Sequence, residues 1–353
     1  MDSDWRGVPS RCSRVMRALQ CAQFGAPSDV VRVVEIPLPY APDTHQVTIA
    51  VAYASVSHAT SLLIEGRYQS KPPMPFVPGT EAVGHVVACG AAVTRLKVGD
   101  AVMALARWGC YAEHITVSEH TVYPLPEGLS LLKALPLPLS YGTAYTGLLW
   151  RCALQPDETV LVLGAGAGVG LAAVELAVLL GAEVIACAST PTKRAEALAR
   201  GARYAVAPDD DFVQNIKAMT AGRGADVVVD PVGGDLFDRS IRAAAQNARI
   251  LSVGFASGRV PQAPLNLLLV KNITLNGFFF GRYLGWTPYD ERVAFAPALQ
   301  KAMNELGHWA LQERIRPTVS AVYPLTGLSD ALAALESRQI VGKIALQMTP
   351  ESA

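Results

Sequence analysis

Residues Thr159–Lys193 read TVLVLGAGAGVGLAAVELAVLLGAEVIACASTPTK, and this stretch decides the fold. An apolar run, Thr159–Leu163, leads into a turn of small residues, Gly164–Gly170. A helical stretch and a second apolar run, Glu183–Ala188, follow. Strand, glycine-rich turn, helix and strand make the βαβ unit whose turn and helix N-terminus hold a dinucleotide pyrophosphate. Aligned on Gly170, the G-x-G-x-x-G spacing falls on Ala165, Ala167 and Gly170, so two fingerprint glycines are alanine here. Alanine permits close backbone approach but resists positive φ. The interleaved Gly164, Gly166 and Gly168 are placed to supply that freedom. Gly166, Ala167, Gly168 and Val169 are therefore the candidate pyrophosphate contacts.

The end of the second run says which dinucleotide. A cofactor lacking a 2′-phosphate usually meets an Asp or Glu about 20 residues after the turn. That place holds Ala188-Ser189-Thr190, with Lys193 and Arg194 close behind. Hydroxyls and cations suit a phosphate, so the expected cofactor is NADPH, with Ser189 and Lys193 at its 2′-phosphate. The competing reading is that Lys193 and Arg194 only open the next helix on a solvated face.

Working outward, residues 1–15 show no periodicity and read as an extension before a first strand opening at Met16. The next hundred residues are β-rich, with strands at Gln46–Tyr53, Ala82–Ala88, Ala101–Leu105 and Ala112–Val117 between Pro/Gly turns. Beyond Pro136–Tyr141, helices and strands alternate. Helices are predicted at Gly142–Arg151, Phe212–Thr220 and Asp235–Ala245, and strands at Ala225–Val229, Ile250–Phe255 and Ile273–Phe279. Such alternation predicts a doubly wound parallel sheet. The closing segment reads as helix Val293–Glu305, strand Thr318–Tyr323, helix Leu328–Leu335 and strand Lys343–Gln347.

The 353 residues suffice for two domains. With 51% hydrophobic and 17% charged residues, the chain has the makings of a packed α/β core rather than a disordered segment. Net charge is zero without charged blocks, which leaves a nucleic-acid partner or an anionic membrane surface without electrostatic support. The basic residues Arg6, Arg11, Arg14 and Arg17 are too sparse to change that. The six cysteines are scattered with no C-x-x-C pair, which argues for a reducing cytoplasm and against a disulfide framework. Val160–Val174 is too short and glycine-broken to span a membrane, and no apolar signal core opens the chain. A soluble cytoplasmic protein is expected.

Several motifs together resemble a known family. They are Gly66-Arg67-Tyr68, PFVPGTEAVG (Pro75–Gly84), VGDAVM (Val98–Met103), YGTAY (Tyr141–Tyr145) and Val160–Leu171. DPVGG (Asp230–Gly234), VGFASG (Val253–Gly258), LNLLLVKN (Leu265–Asn272) and VGKIAL (Val341–Leu346) complete the set. From about Met16 to Met348 the chain resembles the medium-chain dehydrogenase/reductases, specifically the zinc-free, zeta-crystallin-like quinone oxidoreductases. The resemblance implies an α/β protein in which a GroES-like β-rich catalytic domain (16–139 and 282–353) is split around a Rossmann NADPH-binding domain (140–281). It also implies a homodimer joined through the Ile273–Phe280 strand, and NADPH-dependent reduction of quinones or conjugated enones. Thr143 should face the pyrophosphate or nicotinamide, and Gly254, Phe255 and Ala256 should lie along the nicotinamide. Phe278, Phe279 and Phe280 fall near the cleft or a subunit contact.

Zinc-dependent relatives place a Cys in the first-domain loop and a His beside the glutamate of G-H-E. Ser57 and Thr80 stand there instead, although Glu81 remains, and no four-cysteine lobe follows Leu105. His58, His85, His114 and His120 show no ligand spacing, so no metal is expected. Reducing a simple ketone needs strong polarisation of its carbonyl, which a metal supplies. A quinone or enone accepts hydride more readily, and hydrogen-bond donors then suffice. Tyr68 is the preferred donor or gatekeeper. His58 is the second catalytic candidate, in a loop where relatives carry Asn and Asp but Ser57 and Thr60 stand here. That departure leaves two alternatives open: an enoyl-thioester reductase, or a cofactor-binding relative without turnover.

Overall fold

The computed structural model describes residues 15–348 apart from 40 and 338. The proposed extension over residues 1–15 lies outside them except for Val15, which already belongs to the first strand. Strands β1 (Val15–Cys21) and β2 (Val31–Pro37) pair in an antiparallel ribbon. Next come β3 (Gln46–Val56), β4 (Glu81–Cys89), β5 (Ala101–Leu105), β6 (His114–Ser118) and β7 (Val122–Pro124). These form most of a seven-stranded sheet of order β14-β15-β3-β4-β5-β7, with β6 also on β3. Its outer members β14 (Val319–Pro324) and β15 (Lys343–Gln347) come from the far end of the chain. Ile344 to Gln347 pair antiparallel with Val56 to Tyr53.

Between them runs a six-stranded, wholly parallel sheet. Its strands are β8 (Thr159–Leu163), β9 (Glu183–Cys187), β10 (Tyr204–Val206), β11 (Ala225–Asp230), β12 (Ala244–Ser252) and β13 (Thr274–Gly277). The order β10-β9-β8-β11-β12-β13 is that of a Rossmann domain, with the topological switch between β8 and β11. All five residues of β8 are buried, as expected of a strand covered by helices on both faces. A GroES-like β domain and a Rossmann domain thus make up the α/β fold.

Three elements differ from the sequence reading. Strand β12 ends at Ser252 rather than Phe255, because the Val253 amide turns back to donate to the carbonyl of Asp230 (2.9 Å). The chain thereby leaves the sheet at the switch crevice. The C-terminal helix runs over Arg292–Leu311, past the predicted end at Glu305. Gly307 reads as a stop, but it sits inside the helix where a Cβ would lie 2.9 Å from the Pro126 ring. The apolar segment Leu265–Lys271 is a helix with no buried residue, closed by Asn272 in the left-handed region (φ 51°). Among the described residues, no helix is long and apolar enough to cross a membrane.

Candidate functional site: a dinucleotide turn and an aromatic cavity

The glycine-rich turn divides its tasks. Gly164 (φ 62°) and Gly168 (φ 50°) take the left-handed backbone that alanine avoids, whereas Ala167 is extended (φ −159°, ψ 161°). Gly170 allows the tightest approach, since a Cβ there would fall 2.1 Å from the Gly164 carbonyl oxygen. The helix Gly168–Leu179 begins with no side chain capping it. Above Gly168 a Cβ would meet nothing within 4 Å. An open, uncapped helix start of this length fits a pyrophosphate. The turn is also fastened to the entrance of β15, where Gly168 donates to the Gly342 carbonyl (3.3 Å).

At the end of β9, Thr190 caps the helix Pro191–Ala199 by accepting from the Lys193 amide (3.3 Å). Lys193 is only 9% exposed, which removes the solvated-face reading. Its methylenes lie across Gly166, where a Cβ would come within 2.5 Å of them. Arg194 donates to the carbonyls of Ala188 (2.9 Å) and Ser189 (3.2 Å), pinning the strand end. Ser189 is exposed beside them. Two cations and a hydroxyl therefore occupy the place where a ribose-binding carboxylate would stand.

A cavity of about 180 Å³ adjoins this turn, and Val169 belongs to its wall. The apolar lining comes from Leu63, Leu139, Val253, Trp286 and the run Phe278–Phe280. Its polar groups are Tyr68, Ser70, Thr80, Arg107 and Thr143. Burial pushes the Tyr68 phenol above its ordinary pKa, with the charge of Arg107 opposing the shift. Tyr68 is held in place by its amide, which donates to the Leu62 carbonyl (3.0 Å).

His58 does not join this group. It is exposed in the first turn of the helix His58–Ile64, and its neighbour Ala59 lines the cavity instead. Ser57 and Thr60 face each other (Oγ to Oγ1, 3.3 Å). Thr60 also accepts from the Tyr111 hydroxyl (3.3 Å), which ties that loop into the buried core. Gly254, Phe255 and Ala256 lie in the loop after β12, where Val253 is the member that lines the cavity. The Ala256 amide is engaged by the Pro231 carbonyl (3.1 Å), so it is not available to a carboxamide. Asp230 serves the same turn, its Oδ1 accepting from the Val232 and Gly233 amides (2.8 Å each). Burial raises its pKa to about 6 against those two hydrogen bonds.

Beneath the cavity, Glu81 is fully buried and fully used. It accepts from Lys343 Nζ (3.0 Å), from the Leu139 amide (2.8 Å) and from the Ser55 hydroxyl. Its carboxylate is thus committed to an ion pair with β15. The histidines hold one surprise. His45, Glu119 and His120 bring ligand atoms within 4.8 Å of one another, a grouping that spacing along the chain does not reveal. None of the three lines the cavity.

Residues 43–127 match the alcohol dehydrogenase GroES-like domain and residues 168–296 the zinc-binding dehydrogenase family. The rat protein "Quinone oxidoreductase-like protein 2" is 35% identical over 95% of this chain and 93% of its own length. The chain belongs to the zeta-crystallin-like quinone oxidoreductases of the medium-chain dehydrogenase/reductase superfamily. A quinone oxidoreductase of Lama guanicoe is 30% identical over 94% of the chain and 98% of its own. The Escherichia coli quinone oxidoreductase, solved in complex with NADPH, superposes with a TM-score of 0.84 at 28% identity, covering 94% of this chain and 99% of that one. This member of the family is accordingly an oxidoreductase with an NAD(P)H site, and the open turn over Gly168 fits that cofactor.

Proposed function

We propose that the chain is an NADPH-dependent, metal-independent reductase of quinones or α,β-unsaturated carbonyls. The observation that carries this reading is a shared wall: Val169 of the dinucleotide turn, Tyr68 of the first domain and Phe278–Phe280 enclose one cavity. Bound NADPH supplies a hydride there. Lys193 and Ser189 hold the phosphorylated end, Arg194 pins the strand end beside them, and the uncapped helix start holds the pyrophosphate. The aromatic walls orient a planar acceptor and exclude water, so that most of the work is positioning. The Tyr68 phenol, kept protonated by burial, donates to the acceptor oxygen as negative charge develops on it. Thr143, on the same wall, is a second donor. Ser57 and Thr80 offer hydroxyls where a zinc site needs thiolate or imidazole.

The test is NADPH oxidation with a naphthoquinone and with a conjugated enone, with and without EDTA. Turnover indifferent to the chelator is expected. Tyr68→Phe should lower kcat/KM by roughly ten- to a hundredfold with little change in NADPH binding. Tight NADPH binding without turnover of any acceptor would indicate a binding protein. Turnover of enoyl thioesters alone would indicate that class of reductase.

The same reading includes a homodimer through β13. That strand is the sheet edge, and the neighbouring helix presents Leu265 (74% exposed), Leu269 (77%) and Val270 (67%). An open sheet edge beside an exposed apolar helix invites pairing with a second copy. Leu269→Glu should convert the dimer to monomer in sedimentation velocity; a wild-type chain that sediments as a monomer contradicts this assembly.

A further inference from the structure

We infer that Arg107 forms an anion subsite inside the acceptor cavity, so that the preferred acceptors are quinones or enones carrying a carboxylate. The inference rests on the reductase reading above and narrows its substrate class.

Arg107 sits directly beyond β5, in a loop clamped at both ends. The Ala106 amide donates to the Thr80 carbonyl (3.0 Å), and the Gly109 amide donates to the Val77 carbonyl (2.8 Å). The Cys110 and Tyr111 amides continue the clamp onto Gly79 (3.1 Å) and Pro78 (2.9 Å). The backbone of Arg107 is therefore fixed against the Thr80 side of the cavity, which both residues line.

The guanidinium has been brought into this wall without a counter-ion. It lies over the ring face of Trp108, 5.0 Å from the centroid, and its Nε is buried with no acceptor among the described residues. No carboxylate pairs with it among the described residues, whereas the buried Arg200 and Lys343 are each matched. Arg200 is paired with Glu175 (2.8 Å) and Glu196 (2.7 Å), and Lys343 with Glu81 (3.0 Å). A half-buried cation against aromatic walls is costly unless an anion meets it. Arginine in particular presents a planar fork that matches a carboxylate with two parallel hydrogen bonds. Because Tyr68 is near enough to feel the charge of Arg107, a carboxylate held there places the conjugated part of the molecule beside the phenol. The orientation would then be set from both ends: anion on Arg107, reducible system between Tyr68 and the aromatic run.

A matched pair of acceptors tests this: a naphthoquinone bearing a carboxylate side chain and its methyl ester, each assayed with NADPH. The carboxylate is expected to exceed the ester in kcat/KM by about tenfold or more, the size of one charge-assisted contact. Arg107→Gln should collapse that ratio toward one, and Arg107→Lys should restore part of it. A wild-type ratio near one, or a ratio unchanged by Arg107→Gln, overturns the subsite. If neither quinone is reduced, the reductase reading fails separately. Calorimetric titration of the NADPH-bound protein with 2-naphthoate and 2-naphthamide then decides the subsite by itself. Preference for the carboxylate, lost in Arg107→Gln, sustains it, and equal binding refutes it.

Discussion

Replacing Lys193 by alanine is expected to weaken NADPH binding by roughly ten- to a hundredfold while leaving NADH almost unaffected. The magnitude is that of one hydrogen bond to a charged group, worth about 1.5–3 kcal/mol. Its position supports so large an effect. Lys193 is 9% exposed and its stem is laid over Gly166, so its side chain is held at the strand end rather than swinging in solvent. Little ordering entropy remains to be lost when the phosphate arrives. Arg194 cannot substitute for it readily, because its guanidinium already serves the carbonyls of Ala188 and Ser189. Fluorescence titration with both nucleotides checks the expectation. Equal affinity for NADH and NADPH in the wild-type chain, unchanged by the substitution, would remove the cofactor assignment.

The largest effect on stability is expected from Lys343→Met, at about 3–5 kcal/mol, the cost of stripping one partner from a buried ion pair. Lys343 and Glu81 have side chains 7% and 0% exposed, and Glu81 also anchors the Leu139 amide and the Ser55 hydroxyl. Removing the ammonium leaves a fully buried carboxylate with no charge to meet it. The double variant Glu81→Gln/Lys343→Met should recover most of the loss, since a neutral amide can still accept from Leu139. Urea unfolding of the wild type, Lys343→Met, Glu81→Gln and the double variant measures the coupling. A single substitution costing under about 1 kcal/mol would show that the pair matters little.

What was legible in the sequence follows from how local the signal is. Strand β8 announces itself because every one of its residues is apolar or β-branched and buried. Ser189 and Lys193 could be proposed for a 2′-phosphate because they lie at a set distance beyond the glycine turn, on one continuous segment. Tyr68 and Thr143 were found through motifs, and both line the cavity. Arg107 and Trp286 were missed because nothing in their own neighbourhoods marks them, and Val253, which opens a quoted motif, was passed over for the three residues after it. They come together only when the β5 loop, the end of β12 and the segment after β13 fold around one space. The His45–Glu119 contact (2.8 Å) likewise joins positions 74 apart in sequence. His58 misled for the opposite reason: its motif position was right, but the first turn of its helix aims it at solvent while Ala59 takes the inner face.

The pairing of β15 with β3 has a consequence for how the protein is made. The Rossmann sheet is contiguous in the chain, so it can close while synthesis is still under way. The first domain cannot, because the strand that flanks β3, and the lysine that neutralises Glu81 from 262 residues away, are made only after the whole Rossmann sheet. Until then β3 is an open apolar edge with a charge buried beneath it, exposed to strangers for most of translation. The split domain therefore separates the exposed strand from its remedy by the whole length of the Rossmann domain. A nascent-chain chaperone holding the first hundred or so residues would meet that need.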